Sequence, residues 1–159
     1  MGSKKYIHYG HCEFRRDWFC EIQNRLFVKP EGGLWGSPVD SEYGWKDWCD
    51  RERFRKCKKS NSFEFTLRDD ANVLHIRDVS DLIGLPRNPV AKELLLSDTN
   101  MIYLDFEQLV KDGYDAIELH LSEEKFDVDV WRSMDNLYWK LYGWDCDSIL
   151  VMNAEVIVV

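Results

Sequence analysis

Apolar and polar residues alternate most cleanly over residues 62–67, where Phe63, Phe65 and Leu67 fall on one side of an extended chain, the mark of a half-buried strand. Lys5 to Tyr9 sets Tyr6 and His8 against Ile7 and Tyr9 and predicts an opening strand that runs into Gly10. Leu34 to Ser37 predicts a short strand closed by Pro38. It is entered through Lys29-Pro30-Glu31-Gly32-Gly33, a turn by composition. Further strands are expected at Asn72 to Ile76, Tyr114 to Leu121, Ser148 to Met152 and Val156 to Val159. In the Tyr114 strand Ala116 and Glu118 face one side, and Ile117 and Leu119 the other.

A helical rhythm replaces the alternation elsewhere. Asp17 to Asn24 predicts a short helix with Trp18, Ile22 and Phe19 on one face. Residues 41 to 54 predict a longer one, with Ser41 as N-cap and Trp45, Trp48 and Cys49 at i, i+3, i+4 spacing. Asp78 to Ile83 and Asp105 to Asp112 follow, the second ended by Gly113 at the left-handed C′ position. Val130 to Tyr142 predicts a helix with Val130, Met134, Leu137, Tyr138 and Leu141 on one face, stopped by Gly143. Residues 85 to 100, with two prolines, read as a loop, and residues 123 to 129 as an acidic, solvated connection. Strands and helices mix without a run of βαβ units, which points to an α+β class. The expectation is one domain over residues 4–159, with Met1-Gly2-Ser3 reading as an expression scar.

Composition sharpens this picture in four ways. A chain of 159 residues can bury roughly 70% of its unfolded surface, enough to fold without a metal or disulfide staple. The net charge of −8 argues against non-specific nucleic-acid binding, since phosphates would be repelled. The basic run Arg51, Arg53, Arg55, Lys56, Lys58 and Lys59 reads as a solvated helix end and loop, or as a contact for a phosphate-bearing ligand or acidic partner. Five cysteines at irregular spacing suit reduced thiols in the cytoplasm rather than a disulfide framework, and no apolar run approaches a membrane span. Seven tryptophans suggest that some line a pocket or contact surface.

Phosphate-binding and dinucleotide glycine motifs are absent, as are the common hydrolase signatures. His8 closes the first strand. His8, His11 and Cys12 lack a fourth ligand nearby, so no metal site is expected. His75 and His120 alternate with apolar neighbours and read as exposed strand residues. The loop Gly32-Gly33-Leu34-Trp35-Gly36-Ser37 carries more: its glycines admit a close backbone approach, and Trp35 and Ser37 fall on one strand face, an indole beside a hydroxyl. Glu118 sits within an apolar strand and Asp147 opens another. Such a carboxylate is either exposed on an edge, or paired, or turned to a polar cleft.

These segments, in this order, resemble ADP-ribosyltransferases of the diphtheria-toxin and poly-ADP-ribose-polymerase type, as found in small bacterial and phage proteins. Tyr6-Ile7-His8-Tyr9-Gly10 resembles the family's opening strand. Gly33-Leu34-Trp35-Gly36-Ser37 and the helix after it resemble its second motif. Gly113-Tyr114-Asp115-Ala116-Ile117 and Ile149 to Ile157 resemble its later segments. The resemblance implies split mixed or antiparallel sheets with flanking helices, NAD as substrate, and ADP-ribosyl transfer to, or NAD glycohydrolysis near, a macromolecular target. It implies cofactor-binding roles for His8, Tyr9, Gly10, Trp35, Tyr43 and Ser148. His8 would meet the adenosine ribose, and Trp35 or Tyr43 would stack on nicotinamide. Aligning Asn153-Ala154-Glu155 with the family's Asn-Pro-Glu puts Ser148 where the catalytic Glu belongs. Asp147 or Glu118, supported by Ser37, would then stabilise the oxocarbenium-like transition state. The other reading is a catalytically inactive domain of the same fold that binds a protein partner as a modulator.

Overall fold

Among the described residues seven strands form: β1 (Tyr6–Tyr9), β2 (Leu34–Pro38), β3 (Ser62–Leu67), β4 (Val73–Ile76), β5 (Ala116–Leu119), β6 (Ser148–Val151) and β7 (Ile157–Val158). They pair into one sheet in the order β4-β5-β6-β2-β1-β3-β7. Only β4 and β5 run parallel; every other pair is antiparallel. The computed structural model describes residues 3–26, 29–94, 101–124, 128–132, 135–141 and 143–159, excepting the side chains of Val130 and Trp131. The class is α+β, with helices and turns on a mixed sheet.

Strand alternation divides the core in two. The odd-even pattern of β2 sends Leu34 to a cluster with Tyr6, Phe65, Ala116, Ile149 and Val151. Trp35 packs instead with Ile117, Leu150 and Ile76, where the helices lie. The central strands are covered on both faces: all four residues of β5 and all four of β6 are buried. That double coverage decides the environment of every polar residue on them.

The helices are shorter than the sequence pattern predicts. The first long one, α1, spans Trp45–Glu52 rather than 41–54, because Gly44 is extended and Arg53 turns left-handed at φ 52°. Ser41 lies outside it. The residues 85–100 expected as loop contain α2 (Pro89–Glu93), started by Asn88 Oδ1 accepting from the Val90 N–H and by Pro89 in the first turn; residues 95–100 lie outside the described residues. Helix α3 (Phe106–Lys111) carries an Asp105 N-cap, and Gly113 follows at φ +98°, as expected. The helix expected over Val130 to Tyr142 is divided into α4 (Val128–Arg132) and α5 (Leu137–Lys140). Asn136 is extended, and its side chain accepts the Trp139 N–H, so the local cap wins over helix continuation. Met134 and Tyr142 lie outside the described residues, as do residues 125–127 of the acidic connection.

The largest departure is at Asp17 to Asn24. Only a 3₁₀ turn at Arg16–Trp18 forms, after which the chain extends and Gln23 bridges Glu31. The glycine turn forces this. Gly33 donates its N–H to the Cys20 carbonyl at 2.9 Å, so residues 20–23 become a backbone partner for the turn and cannot coil. Gly32 and Gly33 have φ of +88° and +70°. A Cβ at Gly32 would overlap the Glu21 carbonyl, and one at Gly33 would lie 2.8 Å from both Leu150 Cδ1 and the Val151 oxygen.

Gly33→Ala therefore combines left-handed strain with overlap and is expected to lower unfolding free energy by about 2–5 kcal/mol. Gly84→Ala, at φ +82° with nothing within 4 Å, meets strain alone, about 1–2 kcal/mol. Urea denaturation of the two variants checks this. Equal losses would mean that close packing of the glycine turn is not the constraint.

Candidate functional site

Where the β1 end and the middle of β2 face the start of α1, a cleft of about 200 Å³ opens, lined by His8, Tyr9, Lys29, Trp35, Trp45, Arg55 and Ser148 among others. Two indoles shape it. Trp35 stands on β2 with Trp144 edge-on behind it, ring centres 4.8 Å apart. Trp45 is the first residue of α1 and stacks on Trp48 at 5.1 Å. Lys29 reaches over both, its Nζ 5.0 Å from the centre of each ring. Contacts of this kind contribute about 0.5–2 kcal/mol each. Burial holds the Lys29 ammonium below its ordinary pKa, partly offset by Cys146 and Asp145 nearby.

His8 has both ring nitrogens engaged. Nδ1 lies 2.7 Å from the Trp35 carbonyl oxygen and Nε2 lies 2.9 Å from His11 Nδ1. A carbonyl only accepts, so His8 Nδ1 carries the proton and Nε2 accepts from His11. Burial keeps this imidazole below its ordinary pKa; the Trp35 carbonyl raises it and His11 lowers it further. A ribose hydroxyl would have to displace His11 to reach Nε2.

Ser37 and Asp147 sit beside the cleft but serve its walls. Ser37 Oγ donates to the Asp147 carbonyl at 2.8 Å and accepts from the Trp45 N–H at 2.9 Å, pinning the start of α1. The Asp147 carboxylate accepts from Ser41 Oγ at 2.7 Å, from Ser122 Oγ at 2.5 Å and from the Ser122 N–H at 2.8 Å. Tyr43 contributes its carbonyl to the Asp147 N–H, and its ring lies under Arg51 outside the cleft lining. Gly10, at φ +122°, turns the chain and donates its N–H to Asn61. Ser148 does line the cleft, where it also donates to the Cys146 carbonyl at 2.9 Å.

Glu118 is elsewhere. The register places it opposite Ile149, which lies opposite Gly36, whereas Ile117 aligns with Leu150 and Trp35. Its side chain therefore leaves the sheet on the face away from Trp35. It is completely buried, not exposed on an edge, and accepts from Tyr6 Oη at 2.5 Å and Lys4 Nζ at 2.5 Å. Burial, then the hydrogen bond to Glu118 and the charge of that carboxylate, push the Tyr6 hydroxyl far above its ordinary pKa. His120, expected exposed, is 7% accessible and packs between Glu118 and Glu123; His75 is exposed, as expected.

Among the described residues no carboxylate lines the cleft, and the charged side chains that do, Lys29 and Arg55, are both cationic in a chain of net charge −8. The sequence reading did not single out these two. Lys29 looked like part of a turn, and Arg55 like one of a solvated basic run; the signal was there only in the alternative of a phosphate contact. The five cysteines are all free thiols, and no helix among the described residues is long and apolar enough to cross a membrane. Comparison with family models, with curated proteins and with solved structures finds no match.

Removing the Asp147 carboxylate strands the Ser122 N–H and two hydroxyls, so Asp147→Ala is expected to cost about 3 kcal/mol of stability, measured by urea denaturation. A variant as stable as the parent would remove Asp147 from this structural role. His8 gives a pH dependence of definite sign. Its pKa is lower in the folded chain than in the unfolded one, so its contribution is complete above about pH 6.5 and is lost as pH falls through that value. His8→Gln should flatten the fall in stability between about pH 7 and pH 5. An unchanged slope would show that His8 takes up its proton alike in the folded and unfolded states.

Proposed function

We propose that this chain is an NAD-class nucleotide-binding domain of the ADP-ribosyltransferase type that holds its ligand without transferring ADP-ribose. The observation that carries the reading is the convergence of His8, Tyr9, Trp35 and Ser148, distant in sequence, on one small cleft with Lys29 and Arg55. Indole walls suit a flat heteroaromatic ring, and two cations suit a diphosphate. At about 200 Å³ the cleft is smaller than the roughly 300–1,000 Å³ of sites that engulf a drug-sized ligand. It takes one ring and its neighbouring sugar, with the remainder of the dinucleotide along the surface near Arg55.

The same lining argues against transfer. Breaking the bond from nicotinamide to ribose builds positive charge on the sugar, which a nearby carboxylate stabilises. The resemblance puts Ser148 at the position of that carboxylate, Asp147 is spent on Ser41 and Ser122, and Glu118 leaves the opposite face of the sheet. Lys29 and Arg55 would raise the energy of such a cation. A protein partner, rather than an acceptor of ADP-ribose, is then the macromolecule through which the domain acts.

Titrating the chain with NAD while following tryptophan emission tests the reading, because Trp35 and Trp45 report directly on the cleft. Saturable quenching below about 1 mM is expected. Trp35→Phe keeps the core filled and weakens binding about five- to tenfold, about 1–1.4 kcal/mol; the exposed Arg55→Ala weakens it similarly. Nicotinamide should not accumulate above a protein-free blank. No quenching at about 1 mM NAD would end the nucleotide reading. Nicotinamide release proportional to protein would instead restore transferase or glycohydrolase chemistry.

A further inference from the structure

On the face of the sheet away from the cleft, three metal-ligating side chains converge. The parallel register of β4 and β5 sets His75 opposite Glu118, and His120 follows two residues later on the same side of the chain. One donor atom from each, His75, Glu118 and His120, lies within 4.8 Å of the others. His75 Nδ1 is 2.9 Å from His120 Nε2, which is 3.2 Å from Glu118 Oε2. A tetrahedral zinc ion with bonds of roughly 2.0–2.2 Å holds its donors roughly 3.3–3.6 Å apart. The two shorter separations need to open by roughly 0.1–0.7 Å to reach that spacing, and the third already lies within 4.8 Å.

We propose that His75, His120 and Glu118 form a binding site for a divalent transition metal of the zinc class, with its fourth position open to solvent beside His75. Two imidazoles and one carboxylate are a common donor set for such ions. The outer contacts are also in place. His120 Nδ1, the nitrogen turned away from the ion, is 3.4 Å from Glu123 Oε1, and the second oxygen of Glu118 accepts from Tyr6 Oη at 2.5 Å. A carboxylate behind a ligating histidine and a hydrogen bond behind a ligating carboxylate are the supports that orient metal ligands and raise their basicity. Lys4 competes for the site: its Nζ sits 2.5 Å from Glu118 Oε2 on a side chain 43% exposed, so it can withdraw to solvent when the ion takes that oxygen. Zinc would then bind the edge strand β4 to the buried β5 and Glu118 would keep a cationic partner throughout.

The whole chain, stripped with chelator, is titrated with Zn²⁺ against a chromophoric competitor, and with Co²⁺ as a spectroscopic probe. One equivalent should bind, with the intense visible absorption of four-coordinate cobalt. His75→Ala changes an exposed side chain and leaves the fold intact; it should weaken zinc by about tenfold or more. Lys4→Ala should tighten it, a response that a merely structural ion pair would not produce. His11→Ala tests the other histidine pair, at His8, and should leave affinity unchanged. The proposal is overturned if the parent binds no zinc at micromolar concentration, if His75→Ala binds as the parent does, if Lys4→Ala does not tighten binding, or if affinity is lost with His11→Ala instead.

Discussion

The carboxylate of Asp147 ties together segments that share no sequence neighbourhood. Through Ser41 it fixes the approach to α1, and through Ser122 the turn after β5. Its backbone carbonyl, by way of Ser37, reaches the first N–H of α1. A carboxylate this deeply buried is tolerated because both of its oxygens accept hydrogen bonds, two at Oδ2 and one at Oδ1. Once it is satisfied, the position of Trp45 relative to Trp35 is set, and so is the width of the cleft between them. The glycine turn does the same from the other side, bringing residues 20–23 against β2 and delivering Lys29 to the space above both indoles.

The two faces of the central strands then lead separate chemical lives. On one, Trp35, Ser148, Lys29 and Arg55 surround an aromatic, cationic cleft. On the other, Glu118 is buried among Tyr6, Lys4 and His120, and its charge is compensated from several directions. The sheet between them is one residue thick, yet alternation keeps the carboxylate and the indole on opposite sides. This matters because the resemblance to ADP-ribosyltransferases offered Glu118 as a substitute for a missing catalytic group. Parity along β5 and the register through β6 to β2 send it away from Trp35.

Strand positions were legible in the sequence because alternation is a direct consequence of backbone geometry. Ser62 to Leu67 and Leu34 to Pro38 needed no tertiary information, and the partition of Leu34 from Trp35 followed from parity. Helices were less legible where a tertiary partner intervened. Trp18, Phe19 and Ile22 have helical spacing, yet the backbone there is claimed by Gly33 and Glu31. Around Leu137 the apolar rhythm continues, but the side chain of Asn136 starts a fresh helix. Burial was the least legible property. Glu118 stayed open between an exposed edge, a paired carboxylate and a polar cleft, and His120 read as exposed, because alternation tells which side a residue faces, not whether that side is covered. Lys29 and Arg55 escaped notice for the opposite reason: a lysine in a turn and an arginine in a basic run have no local signature that separates a cleft wall from open solvent.

The distribution of charge sets what the cleft can do. A chain with an excess of acid has nonetheless put no carboxylate among the described residues that line the cleft; Asp145 acts on Lys29 from outside that lining, and Asp147 is committed to hydrogen bonds that hold the walls. On the proposed reading, Ser148 in place of the family's Glu would do more than delete one catalytic group. It leaves a cleft whose field is cationic, favourable to a diphosphate in the ground state and unfavourable to an oxocarbenium ion in the transition state. The same residues that would hold the nucleotide would thus resist its cleavage. On the proposed reading such a domain would bind its ligand without cleaving it, and Lys29, set over Trp35 and Trp45, is the residue on which that preference would depend most.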